Sequence, residues 1–169
     1  MAVSDGSYHQ GWGSAAWVIE GFDDHGRITG KVLVSGDEKS QSSYRSELTS
    51  LYCILLSLHR LCEFHAIIEG SIEIGCDGES ALAAAFSDGI PSVTVPDFDI
   101  ISAIFHLRAQ LHISLHTTHV KGHQDDHCHL EDLDHLSRLN VAMDKEAKAH
   151  LRLHQMPRRY AIPHKAWSL

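Results

Sequence analysis

The 169-residue sequence contains no long apolar run: one such as Ala81 to Phe86 is far short of the ~20 residues that a membrane span requires. Nothing in it is expected to cross a bilayer. Proline is scarce, with 4 residues, and there is no low-complexity tract or internal repeat, which excludes collagen-like and disordered classes. Cysteine pairs of the C-x-x-C type are missing. Cys53, Cys62 and Cys76 lie in apolar stretches and read as reduced core thiols, with Cys128 apart in a polar stretch. The start, Met1-Ala2-Val3-Ser4-Asp5, carries no basic leader or apolar signal region, so an intracellular, reducing location is expected. At this length folding buries roughly 70% of the surface of the unfolded chain, enough for a core without disulfide or metal staples. One domain over residues 1–154 is expected, followed by an irregular tail over 155–169 that contains Pro157 and Pro163.

Positive charge is also sparse. With 14 Lys plus Arg against 22 Asp plus Glu, the formal charge is -8, which argues against indiscriminate attraction to nucleic acid. Between Arg60 and Arg108 there is no Lys or Arg at all. From Asp144 onward the balance reverses, so phosphate contacts, if made, should favour Arg152, Arg158 and Arg159 near the C-terminal end.

The hydropathy pattern gives three strand-like runs, Ala2 to Tyr8, Ser14 to Glu20 and Arg27 to Val34, with short links that imply an antiparallel meander. A helix follows from Ser42 or Ser43 to about residue 63, with Leu48, Leu51, Leu55, Leu58 and Cys62 at helical spacing. Ser71 to Cys76 alternates as a fourth strand, and Glu79 to Phe86 forms a short helix. Asp97 is placed to cap a helix bearing Phe98, Ile101, Ile104 and Phe105, and His112 to Val120 is a fifth strand. Lys121 to Arg138 reads as an irregular polar segment, and a last helix runs from about Leu139 to Leu153. A right-handed crossover from strand three would lay strand four parallel to strand one, opening a crevice at a switch point that holds Asp5 and Asp77.

Glu47, four residues before Leu51, and Asp144, beside the Met143-Ala147-Leu151 stripe, border helix faces that pack on the sheet. Four carboxylates could thus meet beside one crevice. Two such charges ~4 Å apart repel by about 4 kcal/mol at an effective dielectric near 20, so the cluster calls for a divalent cation. Oxygen-only ligands suit Mg²⁺, with Mn²⁺ as substitute, and two such ions can assist phosphodiester displacement. Taken singly each acid has a plainer use: Asp5 in a turn, Glu47 at a helix N-terminus, Asp77 as a cap, Asp144 paired with Lys148.

Together these features resemble the ribonuclease H family, most of all the ribonuclease H domains of retroelement reverse transcriptases. The resemblance spans nearly the whole chain. It is carried by Asp5-Gly6-Ser7, Ser43-Tyr44-Arg45-Ser46-Glu47-Leu48, Cys76-Asp77, Val120-Lys121-Gly122-His123 and Asp144-Lys145-Glu146-Ala147, in that order. It implies an α/β ribonuclease H-like fold with a five-stranded mixed sheet of order 3-2-1-4-5 flanked by helices. It implies that Asp5, Glu47, Asp77 and Asp144 hold two Mg²⁺ ions, and that the RNA strand of an RNA-DNA hybrid is cleaved. His123, on a mobile loop, would transfer a proton or assist product release. Gly6, Ser7, Ser43, Arg45 and Glu79 are expected near the crevice as contacts to the sugar-phosphate chain.

Two features depart from the family pattern. Twenty residues separate His123 from Asp144, a longer gap than in cellular relatives, which leaves Asp134 as a competing fourth acid. The basic, aromatic handle that bacterial relatives carry between the second and third helices is absent, so hybrid binding should be weak and salt-sensitive. A covalent tether to a polymerase domain would compensate, and the isolated domain is expected to be a monomer. Three other readings stand beside this one: a nuclease of the same fold acting on DNA, a non-catalytic connection module of a polymerase, and a zinc module using His119, His123, His127, Cys128 and His129.

Overall fold

The computed structural model describes residues 1–21 and 26–155. Strands β1 (Ala2–His9), β2 (Trp12–Glu20) and β3 (Arg27–Leu33) form the antiparallel meander. The β1–β2 turn is two residues long. Its Gln10 and Gly11 both have positive φ, 47° and 78°, the backbone twist that a tight hairpin demands. Helix α1 (Ser43–His65) crosses one face of the sheet and returns the chain to β4 (Ser71–Cys76), which lies parallel to β1 with Ser4 opposite Cys76. Helices α2 (Glu79–Ala85) and α3 (Phe98–Gln110) follow, then β5 (Ser114–His119), parallel to β4, and α4 (His135–Gln155). The sheet order is β3-β2-β1-β4-β5, as the sequence implies.

Alternation along the strands divides the core in two. Ala2, Ile19, Ile74 and Cys76 meet Leu48, Leu51, Ile54 and Leu55 of α1 and Ile101 and Ile104 of α3. On the other face Val3, Ala16 and Val18 meet Leu139, Met143 and Ala147 of α4. Burying such side chains stabilises the fold by ~1.5–3 kcal/mol each. Cys53 and Cys76 are buried free thiols, and Cys128 is exposed.

Two local expectations are corrected. Helix α4 begins at His135, a full turn before Leu139, because Asp134 accepts hydrogen bonds from Ser137 N at 2.8 Å and Ser137 Oγ at 2.9 Å. His135 and Arg138, taken for loop, lie on the solvent side of its first turn, and Ser137 is buried. Asp97 does precede α3, but it adopts a left-handed backbone, φ 56°, and makes no side-chain cap bond. Its carboxylate is directed to Arg45 instead, at 2.7 Å.

Helix α1 touches β1 through bare backbone. A Cβ placed on Gly6 would stand 2.5 Å from Glu47 N and from Ser46 C, so only glycine lets the helix seat there. Polar bonds stitch the same contact: Ser50 Oγ donates to Ser4 Oγ at 2.9 Å, and Ser46 Oγ donates to Ser7 O at 3.2 Å. Gly6→Ala is expected to destabilise the chain by about 1–3 kcal/mol in urea unfolding, the range for overpacking, because backbone cannot step aside. Gly89→Ala, where a Cβ meets nothing within 4 Å, is the control and should leave the midpoint in place.

Candidate active site

The seating of α1 on Gly6 brings Glu47 to the end of β1 and β4. Asp5, 4% exposed, lies on β1 with its Oδ1 accepting from Gly6 N at 2.6 Å. Asp77 follows the last residue of β4. Glycines make room around it: a Cβ on Gly78 would collide with the Glu47 carboxylate, and one on Gly122 would lie 2.7 Å from Asp77 Oδ2. Asp144 projects from α4, half-buried, with Lys148 one turn on at 2.7 Å.

The charges of the other three acids all reach Asp5. Burial, followed by the charges of Asp77, Asp144 and, least, Glu47, pushes Asp5 up to about 8, against a weaker opposing bond from Gly6. Burial and then Asp77 push Glu47 up to about 7. Asp77 is raised as well, chiefly by burial and in part by Asp144, while His123 and Asn140 act the other way. Its Oδ1 is buried and has no hydrogen-bond partner. Oxygen donors only, mutual repulsion and an orphaned buried carboxylate oxygen fit a hard divalent cation such as Mg²⁺. Among the described residues no three His, Cys, Asp or Glu already stand together as a ligand set, so an ion would have to draw these carboxylates inward. The same finding removes a preformed zinc cluster at His119, His123, His127, Cys128 and His129. His119 Nε2 is engaged with Asp77 O at 3.0 Å.

His123 is exposed and close enough to Asp77 for its charge to favour the carboxylate. It has a left-handed backbone, φ 54°, a conformation in which His is enriched among non-glycine residues. The segment after it is tied down rather than free. Gln124 Nε2 donates to Lys121 O and to Ser137 Oγ, both at 2.8 Å, and Asp125 pairs with Lys145 at 3.0 Å. Asp134 is spent as the cap of α4, which leaves the fourth acidic position to Asp144.

The expected backbone-contact residues separate into three groups. Gly6 and Ser7 are half-buried beside Asp5, and Ser43, Glu79 and Arg152 are exposed. Arg158 and Arg159 lie outside the described residues. Arg45 is a correction: it is 6% exposed and clasps Asp97 at 2.7 Å, Asp99 at 2.7 and 3.0 Å and Ser35 O at 3.1 Å. With four of its five N–H groups so engaged the guanidinium has little to offer a phosphate, and it ties the start of α1 to the start of α3 instead. Sequence reasoning missed Asn140, 2% exposed, with an orphaned Oδ1 and its side chain beside Asp77. Its spacing of one helical turn before Asp144 was the available signal.

Comparison of the fold with solved structures places it. The chain is similar to LC11-RNase H1, isolated from compost by a metagenomic approach, with TM-score 0.59 and 13% identity over 90% of this chain and 95% of that one. It also aligns with the RNase H1 of the halophilic archaeon Halobacterium salinarum, at TM-score 0.48 and 14% identity over 86% of this chain and 97% of that one. A third match is an N-terminal RNase H domain from Mycobacterium tuberculosis, solved as a maltose-binding-protein fusion, at 0.47 and 16% over 88% and 97%. No family model and no curated protein matches the sequence. The fold is therefore ribonuclease H-like, a likeness of architecture that leaves the chemistry to the site itself.

The raised carboxylates set a pH dependence. Unfolded Asp5 titrates near its ordinary 3.8 and folded Asp5 near about 8, so between these values the folded chain retains a proton that the unfolded chain has lost. The stability tied to that proton is complete below the unfolded value and disappears as pH rises through the folded one. Without divalent cations the melting temperature should fall by roughly 5 °C between mildly acidic and mildly alkaline buffer. Asp5→Asn should flatten that fall, and Mg²⁺ should restore wild type but not the variant in alkaline buffer. A wild-type melting curve indifferent to both pH and Mg²⁺ would contradict the site.

Proposed function

We propose that this chain is a divalent-metal-dependent endonuclease that hydrolyses the RNA strand of RNA-DNA hybrids. The reading rests on Asp5 on β1 and Asp77 just past the end of the adjacent β4, with Glu47 close against Gly78 and Asp77 Oδ1 buried without a partner, in a fold shared with an RNase H1. Asp5, Glu47, Asp77 and Asp144 would hold two Mg²⁺ ions, or Mn²⁺ in their place, which when bound would supply Lewis-acid activation of water and charge stabilisation for phosphodiester hydrolysis.

The chain's own residues do the rest. Burial of Asp5 and Asp77 keeps bulk water from screening the charges that bind the metal. His123, exposed beside Asp77, is placed to pass a proton to the departing oxygen or to help the product leave. The backbone at Gly6 and Ser7 and the hydroxyl of Ser43 offer hydrogen bonds to the sugar-phosphate chain, which hybrids present across a wide minor groove with 2'-hydroxyls.

Affinity is the weak side of this design. The segment between α2 and α3 has no Lys or Arg and exposes Ile90 and Val93, so no basic handle supplements the site. Few neutralised phosphates mean weak binding that declines as salt rises. Attachment to a reverse transcriptase polymerase domain, working inside the cell where hybrids arise, would supply the missing effective concentration.

Labelled RNA-DNA hybrid, duplex DNA and duplex RNA, incubated at low salt with Mg²⁺ or Mn²⁺, test the proposal. Only the RNA of the hybrid should be cut. Asp77→Asn should abolish cutting, and His123→Ala should slow it by about 10²-fold, a usual loss for a general acid. Cutting of duplex DNA would instead favour a DNA nuclease of this fold, and no cutting by a folded chain would favour a non-catalytic connection module.

A further inference from the structure

His150 and His154 lie one turn apart in the last part of α4, on a stripe that the carboxylate site does not use. Their rings are adjacent, with centroids 4.4 Å apart and planes inclined by 60°. Residues at i and i+4 share a helix face, and two imidazoles so placed are a standard pair of nitrogen ligands. We infer that His150 and His154 bind one late first-row transition cation, of the Zn²⁺, Ni²⁺ or Cu²⁺ type, at a site separate from the carboxylate crevice.

Three observations support the assignment. His154 Nδ1 lies 2.9 Å from His150 O, and a carbonyl can only accept, so the proton sits on Nδ1 and the Nε2 lone pair is left free. His150 is held below its ordinary pKa, first by burial, then by His154 and Lys31, and so is neutral and ligand-competent at neutral pH. Lys31, the nearby cation, is itself engaged by Glu146 at 2.7 Å, which moderates its repulsion of an incoming ion.

Ligand chemistry keeps the two sites apart. Imidazole nitrogen selects Zn²⁺, Ni²⁺ and Cu²⁺, whereas the all-oxygen crevice selects Mg²⁺ and Mn²⁺. With two protein ligands the remaining positions belong to water, in agreement with the absence of any three-residue cluster among the described residues. The consequence is mechanical. The end of α4 is otherwise tied to the β1–β2 hairpin by Gln155 Nε2 donating to His9 O at 2.7 Å, and an ion across His150 and His154 would clamp the same turn.

The test uses the full, untagged chain in saturating Mg²⁺, with Ni²⁺ as the probe, read by calorimetry and by thermal unfolding. Wild type should bind Ni²⁺ and melt a few degrees higher with it, since a ligand that binds only the folded state raises stability. His150→Gln and His154→Gln should each weaken that binding at least tenfold, and the double variant should lose both the site and the shift. The pair His127→Gln and His129→Gln should leave them in place. Binding and shift that persist in the double variant, or a wild type that binds no Ni²⁺, would overturn the inference.

Discussion

Direct contact between the backbone of β1 and the start of α1 at Gly6 is the constraint on which the site depends. β1 is paired on both edges and covered on both faces, by α1 on one and α4 on the other. Every acid of the crevice is therefore either on β1, next to it in the sheet, or on a helix pressed against it. The missing side chain at Gly6 lets α1 come close enough for Glu47 to reach over Gly78, and the missing side chain at Gly122 leaves room beside Asp77. A larger residue at Gly78 or Gly122 would press on a carboxylate, whereas one at Gly6 would press on the backbone of α1 itself.

Packing these acids together has an electrostatic cost. Asp5 is buried with three acidic neighbours, and Asp77 keeps a buried oxygen that nothing in the chain satisfies. Structural needs alone would fill such a position with an apolar residue or a satisfied polar one, since an unpaired buried polar group costs ~1–3 kcal/mol. The other orphaned buried atoms away from Asp77 and Asn140, Trp17 Nε1, Gln41 Oε1 and His59 Nδ1, belong to no carboxylate. Arg45 is held by Asp97, Asp99 and Ser35, Asp134 is used up on the first turn of α4, and Ser4 and Ser50 satisfy one another. Unsatisfied charge is thus concentrated where a cation would relieve it.

Much of the architecture was legible because it follows from periodicity. The alternation of β4 and the leucine spacing of α1 give elements whose bounds differ by no more than two residues from the observed ones. The crossover that sets β4 beside β1 follows from handedness, and with it the meeting of Asp5 and Asp77. The rest depends on which partner a polar side chain finds, and periodicity does not carry that. Asp97 looks like a helix cap until Arg45 competes for it, Arg45 looks like a phosphate ligand until two carboxylates enclose it, and the start of α4 looks like loop because its exposed face is polar. Asn140 was missed for the same reason: its spacing from Asp144 hints at the site, but the partner that gives it meaning, Asp77, comes from another element.

The central claim is that Asp5, Glu47, Asp77 and Asp144 form one site for a divalent cation. The most direct measurement is calorimetric titration of Mg²⁺ at neutral pH in two buffers of different ionisation enthalpy, which counts the protons displaced. With Asp5 near about 8 and Glu47 near about 7, binding should release about one proton or more per chain. Binding with no proton release would mean that the carboxylates are already ionised and do not stand together as described.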